Sequence, residues 1–230
     1  PTCGDGPSSD DPMSRFRVAL ATALLLGAAG PLVAQEQGSA LLDDAAVRYD
    51  ALTTLCADFV QVLDNPLLGD QTTSRGRLCQ RRPNLFRMDF SDPEGDQVVA
   101  DGDHFWVFYR SLNPDQVIRI PVDPSRGGLD FFREFLDDPT SKYDIRSEEI
   151  EQIAGVTTMR LALDPLSDRG LESALVWVDP SARLIRKLEI VDENGLVRTL
   201  LLSNFAFDPE LAAGHFEFDL PEGVDVVAGG

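Results

Sequence analysis

The sequence predicts a mainly-β domain with accessory helices: a single large curved antiparallel sheet of about ten or eleven strands, partly closed toward a barrel. Three observations predict it. From Cys56 onward, apolar residues return at every second position in run after run. Turn signals separate the runs at short intervals, Asp101-Gly102-Asp103 and Asn194-Gly195 among them. Helical spacing occurs in only two places, at the start of the domain and near its middle. Uninterrupted strands at this spacing pair antiparallel and build one sheet.

The elements follow in order. Leu41, Leu42, Ala45, Ala46, Tyr49 and Leu52 recur at threes and fours, so 39–53 read as a helix, with Ser39 as its N-cap. CADFVQVL (56–63) and TTSRGRLCQ (72–80) read as a hairpin turning over 66–70. Centred near 67 and 68, that hairpin sets Cys56 opposite Cys79, within reach of a disulfide. A slip of one residue would instead leave two buried free thiols. RPNL (82–85) is a turn, with proline and asparagine suited to its middle, and LFRMDF a strand. QVVAD and HFWVFYR form a hairpin across Asp101-Gly102-Asp103, and QVIRIPV follows Asn113-Pro114. GGLDFFREFLDD (127–138) breaks the strand run: Leu129, Phe132, Phe135 and Leu136 share one helical face, and Pro139 is expected to end it. YDIRSEEI, VTTMRLAL, LESALVWV, RLIRKLEIV and LVRTLLLSNF then make a meander, and FEFDLP (216–221) reads as the closing strand.

The 230 residues carry 43% apolar side chains and 13 phenylalanines, a globular composition able to bury one core. Twenty Lys and Arg against 39 Asp and Glu give a formal charge of −19, which excludes the basic stripe that nucleic-acid binding needs. Met13-Ser14-Arg15-Phe16-Arg17 begins a basic segment, the apolar run VALATALLLGAA follows, and small Ala34 stands where cleavage would fall. Residues 13–34 therefore read as a secretory signal peptide, too short in its apolar part to span a bilayer as a helix. Residues 1–12 precede Met13 and are set outside the fold. No cysteine follows the apolar run to accept a lipid. One domain, 35–230, is expected, exported and without an anchor. Cys56 and Cys79 would then be an even pair in an oxidising compartment.

Chemistry-bearing motifs are scarce. His104 and His215 are the two histidines, and neither has a partner at metal-ligand spacing. No CxxC, HExxH, GxSxG or P-loop occurs, so no cofactor and no enzyme activity is expected. The acidic residues punctuate turns, as in SDPEGD, FLDDP and VDENG. A carboxylate-based secreted hydrolase stays open only through convergence in space. Apolar residues are abundant instead. HFWVFYR is apolar on both faces and FFREF adds phenylalanines, which serve equally as ordinary core or as the lining of a cavity. Arg81-Arg82 before Pro83 is unusual in so acidic a chain; the pair is either solvated turn charge or a set of donors aimed at a facing element.

Four blocks, in order, give a resemblance. These are a helix followed by ADFVQ, then GRLCQRRPNLFRMDF, VVADGDHFWVFY and FEFDLPEGVDVV. Over about 40–227 the chain resembles the periplasmic lipoprotein carrier family, LolA. That resemblance implies a half-open barrel whose helices form a lid over an apolar cavity for lipoprotein acyl chains. It implies that Arg82, before Pro-Asn-Leu-Phe, latches the lid and that Phe86 stands by the cavity entrance. Met88, Phe90, Trp106, Phe108, Leu129, Phe132, Phe135 and Leu136 are expected to line the cavity on their apolarity. Gly127-Gly128 would hinge a lid built from 127–138 beside 39–53. The implied partners are acylated lipoproteins as cargo, an inner-membrane lipoprotein-releasing ABC transporter and an outer-membrane lipoprotein acceptor, with the carrier itself a periplasmic monomer. A simpler secreted module for free lipid or glycolipid is the alternative within the same fold.

Overall fold

The computed structural model describes residues 31–122 and 132–229, with side chains from Glu36 onward. Helix α1 (Pro31–Asp50) leads into six strands: β1 (Thr54–Asn65), β2 (Asp70–Arg81), β3 (Leu85–Asp92), β4 (Glu94–Asp101), β5 (His104–Phe108) and β6 (Gln116–Pro121). Two short helices, α2 (Arg133–Leu136) and α3 (Pro139–Lys142), precede β7 (Tyr143–Ile153), β8 (Val156–Pro165), β9 (Leu171–Asp179), β10 (Leu184–Asp192), β11 (Val197–Phe207) and β12 (Asp225–Ala228). All twelve strands form one open curved sheet in the order β12-β6-β5-β4-β3-β2-β1-β11-β10-β9-β8-β7. Every neighbouring pair is antiparallel except β12 with β6.

Register divides the sheet into two faces, because side chains directly opposite across a ladder point the same way. One row runs Ala57, Leu78, Met88, Val98, Val107 across β1 to β5. The next row runs Cys56, Cys79, Arg87, Val99, Trp106 and points to the opposite side. The first row belongs to the main core, together with Phe59, Phe86 and Phe90 and with Leu161, Val176 and Leu188 from the other half of the sheet. This inner face is the one that α1 covers. Leu42, Ala45 and Tyr49 of α1 are buried in the same core, and the helix lies against β7, β9 and β10. Gly38 permits the close approach: a Cβ there would stand 3.0 Å from both Ile145 Cγ2 and Ser147 Oγ. At Gly76 in β2 the need is stronger, since a Cβ would meet the Asp89 carbonyl oxygen at 2.0 Å.

Four expectations are corrected. Ser39 is not an N-cap; α1 begins at Pro31, and the Ser39 hydroxyl donates to the Glu36 carbonyl within the helix. Of the helix expected over 127–138, the described part is helical only over Arg133–Leu136, while Gly127, Gly128 and Leu129 lie outside the described residues. Pro139 does not end a helix but opens α3, where its missing N–H is no loss. Finally, FEFDLP is not a strand, and the last strand is Asp225–Ala228. The alternation in FEFDLP is real but serves a different purpose. Phe216 packs against the Cys56–Cys79 pair and Phe218 stacks on Trp106, 5.1 Å between centroids. The segment after β11 thus crosses the outer face from β1 toward β5 and arrives beside β6, where it pairs parallel.

Candidate functional site

Phe86, Met88 and Phe90 stand on alternate positions of β3 and all three enter the inner-face core. Phe132, Phe135 and Leu136 descend on the same core from α2. Tyr49 of α1 joins the second group, its ring stacked on Phe132 with centroids 5.0 Å apart. Phe59 meets Phe90 edge-on at 5.1 Å. In this arrangement the chain's own aromatic and aliphatic side chains fill the inner face beneath the helices.

Trp106 and Phe108 are elsewhere. Both stand on the outer face, where Phe218 packs on each ring and Arg119 lies over Trp106. The inward positions of β5 are Phe105 and Val107, followed by Tyr109. A run apolar on both faces carries no sign of which face is which; the pairing of Val98 with Val107 decides it.

Arg82 sits in the turn between β2 and β3 and reaches the end of α1. Its Nη1 donates to Asp50 Oδ1 at 2.6 Å, and its Nη2 donates to the Tyr49 carbonyl. The Tyr49 carbonyl, which also accepts from the Leu52 N–H at 3.1 Å, lies at the negative end of the helix dipole, so a guanidinium suits this place. The Arg82 side chain is 24% exposed and Asp50 62%, so the carbonyl bond outweighs the ion pair. Arg82 also borders a cleft at the sheet rim with Tyr49, Leu52, Gln80, Phe132 and Leu136. Arg81 points the other way: its Nε donates to Thr54 Oγ1 and its guanidinium lies 5.2 Å over the Phe216 ring. Adjacent arginines on a strand end therefore serve opposite faces, one holding α1 and one holding the C-terminal segment.

A second tether holds α2. Glu134 Oε1 accepts from the Tyr143 hydroxyl at 2.6 Å and from Arg169 Nε at 2.7 Å. Lys142 Nζ donates to the carbonyls of Arg133 and Glu134. Burial, and then the bond to the Glu134 carboxylate, push the Tyr143 hydroxyl well above the usual tyrosine range, so it stays a donor. Sequence reasoning missed Asp50, Glu134, Tyr143 and Arg169. No local pattern marks them, because each acts on a residue distant in the chain or on another element.

On the outer face Cys56 and Cys79 are directly opposite in register and joined by a disulfide, with Cα atoms 4.1 Å apart. Arg87 Nη1 donates to the carbonyls of His215 and Glu217, pinning the crossing segment. Burial, and then the charge of Arg87, lower the pKa of His215. Among the described residues, no three His, Cys, Asp or Glu side chains are grouped to hold a metal ion. Asp101 is partly buried and Asp179 buried, which alone would raise their pKa values, yet both are lowered by the hydrogen bonds they accept. For Asp101 the donors are Trp106 Nε1 and two backbone N–H groups; for Asp179, two backbone N–H groups and Arg186. Carboxylates saturated in this way organise turns.

Comparison with known proteins agrees with this geometry. The chain is 27% identical over 215 residues to an outer-membrane lipoprotein carrier protein of Alkalilimnicola ehrlichii, covering 94% of this chain and 95% of that one. It is 26% identical over 181 residues to the outer-membrane lipoprotein carrier protein of Pasteurella multocida, covering 78% and 82%. Among solved structures, an uncharacterized conserved protein from Thermus thermophilus shares the fold, with a TM-score of 0.53 at 15% identity over 84% of this chain and 99% of that one. The sequence profile of the outer membrane lipoprotein carrier protein LolA family matches residues 50–219. With more than half its length matched, the chain belongs to that family.

Proposed function

We propose that this protein is a periplasmic chaperone that shields the acyl chains of lipoproteins beneath α1 and α2 and carries them from the inner to the outer membrane. One observation carries the reading: a single arginine at the sheet rim, Arg82, fastens the end of α1 over an inner face made of apolar side chains. A helix held to a sheet by packing alone has no need of a guanidinium at its end. One held by a few charge-assisted bonds at its rim can be released there and regained.

The energetics call for such a device. Exposing an acyl chain to water costs about 0.8 kcal/mol per methylene, so a multiply acylated anchor costs tens of kcal/mol. Only an apolar enclosure lets it cross an aqueous space. When the lid parts, Tyr49, Phe132 and Leu136 leave the core that they share with Phe86 and Met88, and acyl chains take the vacated space. An inner-membrane lipoprotein-releasing ABC transporter supplies the cargo and an outer-membrane acceptor receives it, with release downhill and no nucleotide bound by this chain. Residues 13–34 direct export and are removed, 35–230 form the working domain, and the carrier acts as a monomer. It is a binding protein, not an enzyme.

The test is capture. Residues 35–230 are mixed with a triacylated lipoprotein and with its unacylated form and then co-purified. The reading requires retention of the acylated form alone. Equal capture of both, or of neither, contradicts it; retention of free lipid or glycolipid but no lipoprotein would make the chain a simpler lipid-binding module.

A further inference from the structure

Across the inner face, Leu55, Gln80, Phe86 and Ala100 occupy one cross-strand row. Three are apolar and buried; Gln80 is a carboxamide, only 7% exposed. Its Oε1 is shut off from water and has no hydrogen-bond partner. Native proteins seldom leave a buried acceptor unpaired, because it loses its water without gaining a replacement. A leucine would fill this row with no such loss. Gln80 lines the rim cleft together with Arg82, Tyr49 and Phe132, the residues that fasten α1 to the sheet and to α2. Gln80 therefore borders the cleft at the latch, with its unpaired oxygen buried in the apolar row behind it.

An oxygen acceptor needs a donor, and acyl chains have none along their length. Esters offer only further acceptors. An acyl chain attached through nitrogen differs, since its amide carries one N–H at the polar end of the chain. We propose that Gln80 is the binding-site contact for that N–H: its Oε1 accepts a hydrogen bond from the amide linkage of an N-acyl ligand and sets the depth at which the chain is held. The proposal rests on the carrier reading and adds a preference for one linkage chemistry. Closed, the protein keeps the acceptor unsatisfied; loaded with an N-acyl chain, it satisfies it.

The experiment displaces a bound fluorescent acyl probe with N-methylpalmitamide or with methyl palmitate, which share a chain length and differ in the N–H. Wild type is compared with Gln80→Leu and Gln80→Met, which keep the volume and remove the acceptor. Urea midpoints verify that each variant folds. The expected result is an approximately tenfold preference of wild type for the amide, the scale of one net hydrogen bond. In both variants the preference is lost while ester affinity holds or rises. A wild type without preference, or variants that keep it, overturns the role of Gln80 and leaves the carrier reading standing. If neither ligand displaces the probe, the carrier reading falls and the proposal with it.

Discussion

Arg82 donates to the main-chain carbonyl of Tyr49, the last residue but one of α1. The ring of the same Tyr49 lies on Phe132, so one residue is tied to the sheet rim by its backbone and to α2 by its side chain. Lifting the end of α1 breaks both contacts together.

Arg82→Leu removes the carbonyl bond and the pair with Asp50. The folded, empty protein should lose about 1–3 kcal/mol in urea unfolding, whereas Asp50→Asn should lose less than about 1 kcal/mol, because that contact is solvent-exposed. If α1 lifts to admit a ligand as proposed, the bonds lost belong to the closed state, and the variant should hold an acyl ligand more tightly and release it more slowly. Equal stability losses for the two variants would show the ion pair, not the carbonyl, to be the main link.

Glu134→Gln keeps the shape of the side chain but takes away the charge that Tyr143 and Arg169 address. Native-state hydrogen exchange should quicken at the amides of Phe135 and Leu136 by about tenfold, with exchange in β1 and β2 unchanged. Uniform acceleration over the sheet would mean that α2 does not open separately.

The Cys56–Cys79 bond closes a loop with a sequence separation of 23. Its removal by Cys56→Ser with Cys79→Ser should cost about 3 kcal/mol, by the chain-entropy relation for a loop of that size. Paired urea titrations of the wild type and the double variant measure it. An unchanged midpoint would show the strand pair and the Phe216 packing to suffice.

Asp179 has a folded-state pKa below its ordinary 3.8, held there by Ala182 N–H, Arg186 and Ser181 N–H against the opposing effect of burial. A depressed carboxyl contributes stability that is present above its unfolded pKa and is lost as pH falls through the folded value. Stability should therefore be level with respect to this group above about pH 5 and decline below pH 4. Asp179→Asn should lower stability at pH 7 and flatten the acid limb. Thermal melts from pH 3 to 7 test both; a variant with an acid limb as steep as the wild type's would assign the loss to other carboxylates.

Much of this fold is legible in the chain. Period-two runs separated by Asp-Gly and Asn-Gly turns yield the meander, and the hairpin of β1 and β2 sets Cys56 opposite Cys79 unless its register slips by one, which the structure shows it does not. What fails shares a cause. HFWVFYR is apolar on both sides because the crossing segment buries Phe108 from outside, so local alternation cannot tell Trp106 from Val107. FEFDLP alternates because its phenylalanines face an existing sheet, and the same period results whether or not the backbone joins a ladder. In the site, Arg82 stands out as a cation at the end of a strand in an acidic chain. Its acceptor at Tyr49 leaves no mark, since any residue can offer a carbonyl. Gln80 is visible only once its row is known to be apolar.

On the proposed function, acyl chains occupy the inner face under α1 and not the outer face. The direct measurement is photocrosslinking, with p-benzoylphenylalanine placed at Met88 in one protein and at Trp106 in another, each loaded with a lipoprotein carrying radiolabelled acyl chains. Label should join the protein from position 88 and not from position 106. Label from 106 but not 88, or equally from both, would contradict it.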